Sequence, residues 1–192
     1  IGAASFDGGG GSNSGTTRIY EWSGTAWVLK GSQINGLTTG EYSGRSVSIN
    51  GDGTIVAIGA FQNSEAFTYS GTTRIYEWSG TAWILKGSQI NGLTFREYSG
   101  GSVSINGDGT VVAIGAYEFD GGVGSNSGTT RIYEWNGTAW VLKGSQINGL
   151  TTEEQSGRSV SINSDGTSVV IGAYRNNSDT GTTRIYGWNG TA

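Results

Sequence analysis

The chain has 192 residues, 36 of them Gly, and contains no Pro, Cys, Met or His. Without Cys it has no disulfide framework, thiolate metal site or thiol nucleophile, and without His it lacks the commonest general base and transition-metal ligand. Lys and Arg number 11 against 15 Asp and Glu, a net charge of -4, with neither sign gathered in a run, so no nucleic-acid or anionic-membrane surface is expected. Charged residues make up 14% of the chain, against roughly 25% in average soluble domains, so the polar surface must be built from Ser, Thr, Asn and Gly. No apolar run approaches the roughly 18 residues of a membrane span, so membrane insertion is not expected. Ile1, in a sequence without Met, reads as the start of a processed product or of a piece of something longer.

The tripeptide Ile-Gly-Ala begins at Ile1, Ile58, Ile114 and Ile171, so one cassette recurs at spacings of 57, 56 and 57 residues. This divides the chain into repeats 1–57, 58–113, 114–170 and a truncated 171–192. Counted from the Ser-Val-Ser-Ile strand rather than from Ile-Gly-Ala, four stretches rich in β-branched and aromatic residues follow one another in the second cassette. They are Ser46 to Ile49, Thr54 to Ala60, Thr72 to Trp78 and Ala82 to Ile90. Asn50-Gly51-Asp52-Gly53 joins the first two, and Ser79-Gly80-Thr81 the last two, both hairpin connections made of residues that tolerate positive φ. No apolar period of 3.6 residues persists, so helix is not expected.

A repeated four-stranded antiparallel unit predicts an all-β fold of the β-propeller type. Fourteen strands, about three and a half blades, are expected in the chain, and the competing architecture is a stacked β-solenoid. Alternation in the third strand puts Arg74, Tyr76 and Trp78 on one face and Thr73, Ile75 and Glu77 on the other. The segment from Asn91 to Gly101 is long enough to pass from the outer strand of one blade to the inner strand of the next.

On these residues the cassette resembles the FG-GAP repeat of integrin α-type propellers. Ser43-Gly44, followed by Ser46-Val47-Ser48, stands where that family has Phe-Gly and its first strand; Ile58-Gly59-Ala60 stands where it has Gly-Ala-Pro; Arg74-Ile75-Tyr76 matches its following strand. Ser43, Ser99 and Ser156 replace the family's Phe, and Ala4, Phe61, Tyr117 and Tyr174 replace its Pro. The resemblance implies calcium in the hairpin between the first two strands, with Asp52, Asp108 and Asp165 as candidate ligands. Ser48 and Val56, and their counterparts Ser104, Val112, Ser161 and Val169, occupy the outer acidic positions of that motif. One carboxylate per loop is little charge for a hard cation, so a plain hairpin turn and no cofactor are expected.

Trp22 with Trp27, Trp78 with Trp83, and Trp135 with Trp140 are candidate glycan-stacking pairs, and Trp188 begins a fourth. Packing between blades is the alternative use of the same rings. Asn136, Asn176 and Asn189 head Asn-x-Ser/Thr sequons and are candidate N-glycosylation sites; Ser23 and Ser79 at the equivalent turn leave ordinary turn chemistry as the other reading. The Gly-rich loops from Asp7 and Asp120 lack the Lys and helix start of a phosphate cradle and read as surface loops. Arg18, Arg74, Arg131 and Arg184 are expected to pair with Glu21, Glu77 and Glu134 at the rim or between blades. The acidic residues recur alike in each copy, and Glu153-Glu154 is the one adjacent pair unique to a single copy, so no enzymatic activity is expected. The sequence predicts an extracellular or cell-surface structural or adhesive scaffold that contacts itself or other surface proteins, with a filament as one form, and glycan binding as the alternative.

Overall fold

The computed structural model describes residues 1–121, 123–175 and 180–190. Every regular element among them is a strand. The second cassette shows the pattern most fully. β6 (Ser43–Ile49), β7 (Ile55–Ala60) and β8 (Thr72–Trp78) form an antiparallel meander, and β8 then pairs with two short strands, β9 (Trp83–Leu85) and β10 (Ile90–Asn91). The third cassette repeats it with β11 (Ser102–Ile105), β12 (Val111–Ala116), β13 (Thr129–Trp135), β14 (Trp140–Leu142) and β15 (Ile147–Asn148).

At the N-terminal side stand β1 (Gly2–Ala3), β2 (Thr16–Thr17) and β5 (Ile34–Asn35) as one sheet, with β3 (Tyr20–Trp22) and β4 (Trp27–Leu29) as a separate hairpin. At the C-terminal side β16 (Ser156–Ile162), β17 (Ser168–Ala173) and β18 (Thr182–Gly187) make a three-stranded sheet.

The long fourth strand expected from Ala82 to Ile90 is therefore two strands. β9 holds the Trp78 end of β8 through the Trp78–Trp83 pair, β10 holds its Thr72 end, and Gly87 turns the chain between them at φ +74. A left-handed conformation cannot continue a ladder and suits Gly. The same break recurs at Gly31 and Gly144, and the third strand of the first unit is split into β2 and β3 as well, so the described residues hold eighteen strand segments where fourteen were expected. The first strand starts earlier than the SVSI core suggests, at Ser43, because a register irregularity between Ser43 and Ser46 lets the ladder with β7 resume after a skip.

The apolar core lies between sheets rather than within them. Ile19 of the first sheet region packs with Val56 and Ile58 of the second. Ile55, Ala57, Ile75 and Ile90 of the second pack with Val103, Ile105, Val112 and Ile114 of the third. Ala113 of the third packs with Val169 and Ile171 of the fourth. β7 and β12 are buried along their whole length because each serves a neighbour on both faces. Alternation assigns Ile55 and Ala57 to one neighbour and Val56 and Ile58 to the other.

Backbone and hydroxyl bonds stitch the sheets in series. The hairpin tips are chained by Gly51 N–H to the Gly107 carbonyl (2.8 Å) and Gly107 N–H to the Ser164 carbonyl (2.9 Å). Ser46 and Ser102 donate to the carbonyls of Gly100 and Gly157 in the following sheet, both at 2.7 Å. The invariant Gly of the Ile-Gly-Ala tripeptide follows from this closeness: a Cβ on Gly59 would sit 2.0 Å from the Gly100 carbonyl oxygen, and one on Gly115 the same distance from that of Gly157.

Candidate functional site

Each junction between sheets holds a buried ion pair. Glu41 lies in the segment leading into β6, and its carboxylate accepts the Leu37 N–H at 2.7 Å and the Thr38 hydroxyl at 3.1 Å. Arg74 of β8 meets it with both terminal nitrogens, at 2.8 and 3.0 Å, and Asn63 donates at 2.8 Å. Glu97 repeats the arrangement with Leu93, Thr94 and Arg131, and Glu154 with Leu150, Thr151 and Arg184. All three glutamates have no solvent exposure. Burial pushes the Glu41 carboxyl up, but the bonds and charge of Arg74, with Asn63 and the Leu37 N–H, outweigh it and hold the group below its ordinary value. Glu154 is displaced the same way, burial again opposing and Arg184 prevailing.

This corrects the pairing expected for the arginines. Arg74 and Arg131 do not meet Glu77 and Glu134, which point from the opposite face of the same strands. Glu77 pairs with Lys86 at 2.9 Å, Glu134 with Lys143 at 2.7 Å and Glu21 with Lys30 at 3.3 Å, all with the carboxylate about half exposed. Arg18 lies over the Phe6 ring, 5.4 Å from its centroid, and donates to Gln33 at 3.0 Å. The adjacent Glu153 and Glu154 are separated in role: Glu154 is buried on Arg184, whereas Glu153 is exposed and accepts from Asn126.

Two of the three tryptophan pairs, Trp78 with Trp83 and Trp135 with Trp140, straddle junctions. Rings of each pair lie close together, at 5.6 Å for Trp22 and Trp27, 5.3 Å for Trp78 and Trp83, and 5.5 Å for Trp135 and Trp140. Trp83 donates its indole N–H to the Lys30 carbonyl of the preceding sheet at 2.8 Å, and Trp140 donates to that of Lys86 at 2.9 Å. The Lys30 and Lys86 ammonium groups lie 5.8 and 5.3 Å from the ring centroids of Trp78 and Trp135. Trp22 and Trp27, at the N-terminal side, remain 53% and 68% exposed.

The aspartates suggested as calcium ligands cap their own turns. Asp52, Asp108 and Asp165 each accept the hydroxyl and N–H of the Thr two residues on, with hydroxyl distances of 2.6, 2.6 and 2.5 Å. The Thr hydroxyl is the first cause holding all three carboxyls below their ordinary value. Asn50 and Asn106 are buried and spend their carbonyl oxygens on the backbone N–H groups of the same hairpins. Ser48 and Ser104, at the outer ligand position of the calcium motif, accept the backbone N–H of Ile105 and Ile162 from the next sheet, each at 3.0 Å. Among the described residues no group of three or more His, Cys, Asp or Glu is placed to hold a metal ion.

Asn136 is exposed, and its side-chain oxygen accepts the N–H groups of Thr138 and Ala139 at 3.0 and 2.9 Å. The Ser79 hydroxyl accepts the Ala82 N–H at the equivalent turn at 3.1 Å, so Ser and Asn satisfy the same turn. Asn189 is exposed as well, and Asn176 lies outside the described residues.

One feature had no counterpart in the sequence reading. Tyr42, Phe61, Tyr98 and Tyr117 form a ring-to-ring series at 5.8, 5.7 and 5.9 Å that crosses two junctions, and the Arg158 guanidinium extends it 4.3 Å from the Tyr117 centroid. Phe61 and Tyr117 are the residues directly after Ile-Gly-Ala, and Tyr42 and Tyr98 directly follow the junction glutamates. That shared spacing was the available signal.

The elements thus define an all-β array of repeated antiparallel sheets joined by buried Glu–Arg pairs and shared apolar clusters. No protein-family model matches the chain, and no curated protein matches it. Among solved structures it is similar to Kuenenia stuttgartiensis hydrazine synthase, with a TM-score of 0.52 and 11% identity over 83% of this chain and 37% of that one. The chain therefore spans little over a third of the length of that protein, and the likeness is one of fold.

Proposed function

We propose that the chain is a run of FG-GAP-like β-propeller blades that acts as a non-enzymatic structural or adhesive scaffold at the cell surface or outside the cell, with a filament as one form. The observation that carries this reading is where the chemistry is used. The recurring Glu, Arg, Trp and Ser side chains make contacts between successive sheets, so the repeat's most distinctive residues maintain an array. The glycine of Ile-Gly-Ala and the glycine of Ser-Gly, two of the positions where the cassette resembles the FG-GAP pattern, close on each other at these junctions, which supports that kinship. An open, heterologous contact between repeated units propagates rather than closes.

Glycan binding has narrower support. Trp22 and Trp27 present exposed rings, but the indole N–H groups of Trp83 and Trp140 are already committed to backbone carbonyls. Negative-stain microscopy and a glycan array on the same preparation separate the two. The scaffold reading expects elongated particles whose length grows with concentration and no saturable glycan signal; discrete particles of constant size together with sugar binding abolished by Trp22→Ala overturn it.

A further inference from the structure

The cassettes are close copies, and in the second repeat the departures from the common sequence gather at one spot. The loop before β8 and the segment before Glu97 are joined by the Arg96 N–H to the Thr68 carbonyl at 3.0 Å; the same bond joins Gly40 to Ser12 and Glu153 to Ser125, both at 2.9 Å. The backbone is thus alike in three copies, and the side chains on it differ. Phe67 stands where the other copies have Gly11 and Gly124, and Tyr69 where they have Asn13 and Asn126. Phe95-Arg96 stands where they have Thr39-Gly40 and Thr152-Glu153.

These exchanges work against the fold. Thr39 and Thr152 donate their hydroxyls to loop carbonyls at 3.1 and 3.0 Å, a bond that Phe95 gives up, and the Phe95 ring stands 64% exposed. Tyr69 and Arg96 are held at φ +54 and +55, a left-handed conformation that suits the Asn and Gly of the first copy and strains bulky side chains. Phe67 and Tyr69 are exposed as well. Exposed rings held at the expense of stability belong to a surface made for contact.

Charge is distributed in the same way. Arg74, Arg131, Arg184, Lys30, Lys86 and Lys143 are in ion pairs, whereas the exposed Arg45, Arg96 and Arg158 make none among the described residues. Each of these three lies near a ring instead: Arg45 is 5.9 Å from the Phe61 centroid, Arg96 5.9 Å from that of Phe95, and Arg158 4.3 Å from that of Tyr117. The rings are one connected group, because Phe61 and Tyr117 both contact Tyr98, Tyr69 stacks on Tyr98 at 5.9 Å, and Arg96 lies against the Tyr98 side chain. A guanidinium laid on a ring keeps its N–H edge free for a carboxylate, and holding it there beforehand reduces the freedom lost on binding. The acidic group that Arg96 and Arg158 share is the half-buried Glu118; Asp120 and Glu153 accept bonds from Asn126, and Glu65 from Gln89.

We infer that this patch is a docking site for an acidic segment of a partner protein, whose carboxylates meet the N–H edges of Arg45, Arg96 and Arg158 while an apolar side chain covers Phe67 and Phe95. Those two rings are apolar to their tips, which suits a peptide better than a hydroxylated sugar, and Phe, Tyr and Arg are the anchor residues of protein interfaces. The site lies within the array, on loops outside the strand ladders. It rests on the adhesive part of the proposed function and names the chemistry that is held.

Fluorescence polarisation with a labelled Glu-Phe-Glu-Glu-Tyr-Glu peptide tests it on the whole chain, beside the same peptide with Lys for Glu and labelled chondroitin sulfate. The acidic peptide is expected to bind saturably and more weakly as salt rises, and the Lys peptide is expected not to bind. The double change Phe95→Thr/Arg96→Gly copies the first cassette onto the same backbone, so it should melt no lower than the wild type while binding falls about tenfold or more. An acidic peptide that does not bind, that binds the double variant equally well, or that binds no better than chondroitin sulfate overturns the site. A double variant that melts lower than the wild type assigns these side chains to the fold and overturns it too. Elongated particles in negative stain that persist through these outcomes leave the scaffold reading standing, and their absence overturns that reading.

Discussion

Replacing Glu97 by Gln removes one charge from a pair in which the Glu97 side chain has no exposure and that of Arg131 has 3%. The amide keeps the shape and can still accept the Leu93 N–H, now at 2.8 Å, but its NH2 end faces a donor, either Arg131 or the Thr94 hydroxyl. Breaking a buried pair by removing one partner destabilises by about 3–5 kcal/mol, because the other charge is left uncompensated. In a chain of this size each kcal/mol lowers Tm by about 2–4 °C, so Glu97→Gln is expected to melt roughly 6–20 °C below the wild type. Glu77→Gln, which breaks the half-exposed pair with Lys86, should change stability by less than about 1 kcal/mol. The double variant Glu97→Leu/Arg131→Met replaces the pair with apolar groups and should recover at least about 2 kcal/mol relative to the sum of the single changes. Urea titrations followed by Trp fluorescence and circular dichroism measure these proteins together with the single variants Glu97→Leu and Arg131→Met, and coincidence of the two signals checks that a repeat array unfolds as one unit. A Glu97→Gln protein within about 1 kcal/mol of wild type, or a double variant equal to the sum of its parts, refutes the reasoning that this pair is a buried electrostatic joint.

The same joints set the acid limit. Glu41 and Glu154 titrate below their ordinary value of 4.5 in the folded chain, so their contribution is complete above that value and is lost as pH falls through the lower folded one. Thermal melts from pH 7 to pH 3 should show Tm falling below about pH 4.5, and a flat profile there contradicts the assignment. Gly115→Ala places a Cβ 2.0 Å from the Gly157 carbonyl oxygen, so it should lose more than about 3 kcal/mol in a urea titration, the upper range for overpacking; a change under 1 kcal/mol would show that the sheets are not held this close. Asp108→Ala removes the bonds to Thr110 and should cost about 0.5–1.5 kcal/mol, while millimolar calcium should leave the wild-type Tm unchanged; a calcium-induced rise restores the metal reading. Trp140→Phe keeps an aromatic ring but loses the N–H bond to the half-buried Lys86 carbonyl, and a loss of about 0.5–1.5 kcal/mol, measured by the same titrations, is expected.

The strands were legible because runs such as Thr72 to Trp78 combine β-branched and aromatic residues with flanking turn residues, and β8 has those same bounds. The break at Gly87 was harder to see, since Lys-Gly-Ser-Gln is bracketed by good strand formers and one Gly inside a strand pattern reads as a weak spot. The partner of Arg74 was missed for a different reason. Its glutamate lies 33 residues earlier, in a segment without strand character, and a nearer Glu77 competes for attention although alternation puts it on the wrong face. Recurrence of Glu two residues before each Ser-Gly, at Glu41, Glu97 and Glu154, was the signal in the sequence. The roles of the tryptophans needed coordinates, because which sheet an indole leans on is set by the offset between units and not by the order of residues within one.

Because the apolar clusters lie between units, the array bears tension in a characteristic way. Detaching either central sheet breaks two of these clusters and two ion pairs. Under load the chain should therefore yield one cassette at a time. Each event releases the 56 or 57 residues of a repeat, about 190–200 Å of extended backbone. Such a chain holds a graded reserve of length, drawn out in equal steps as the pull rises.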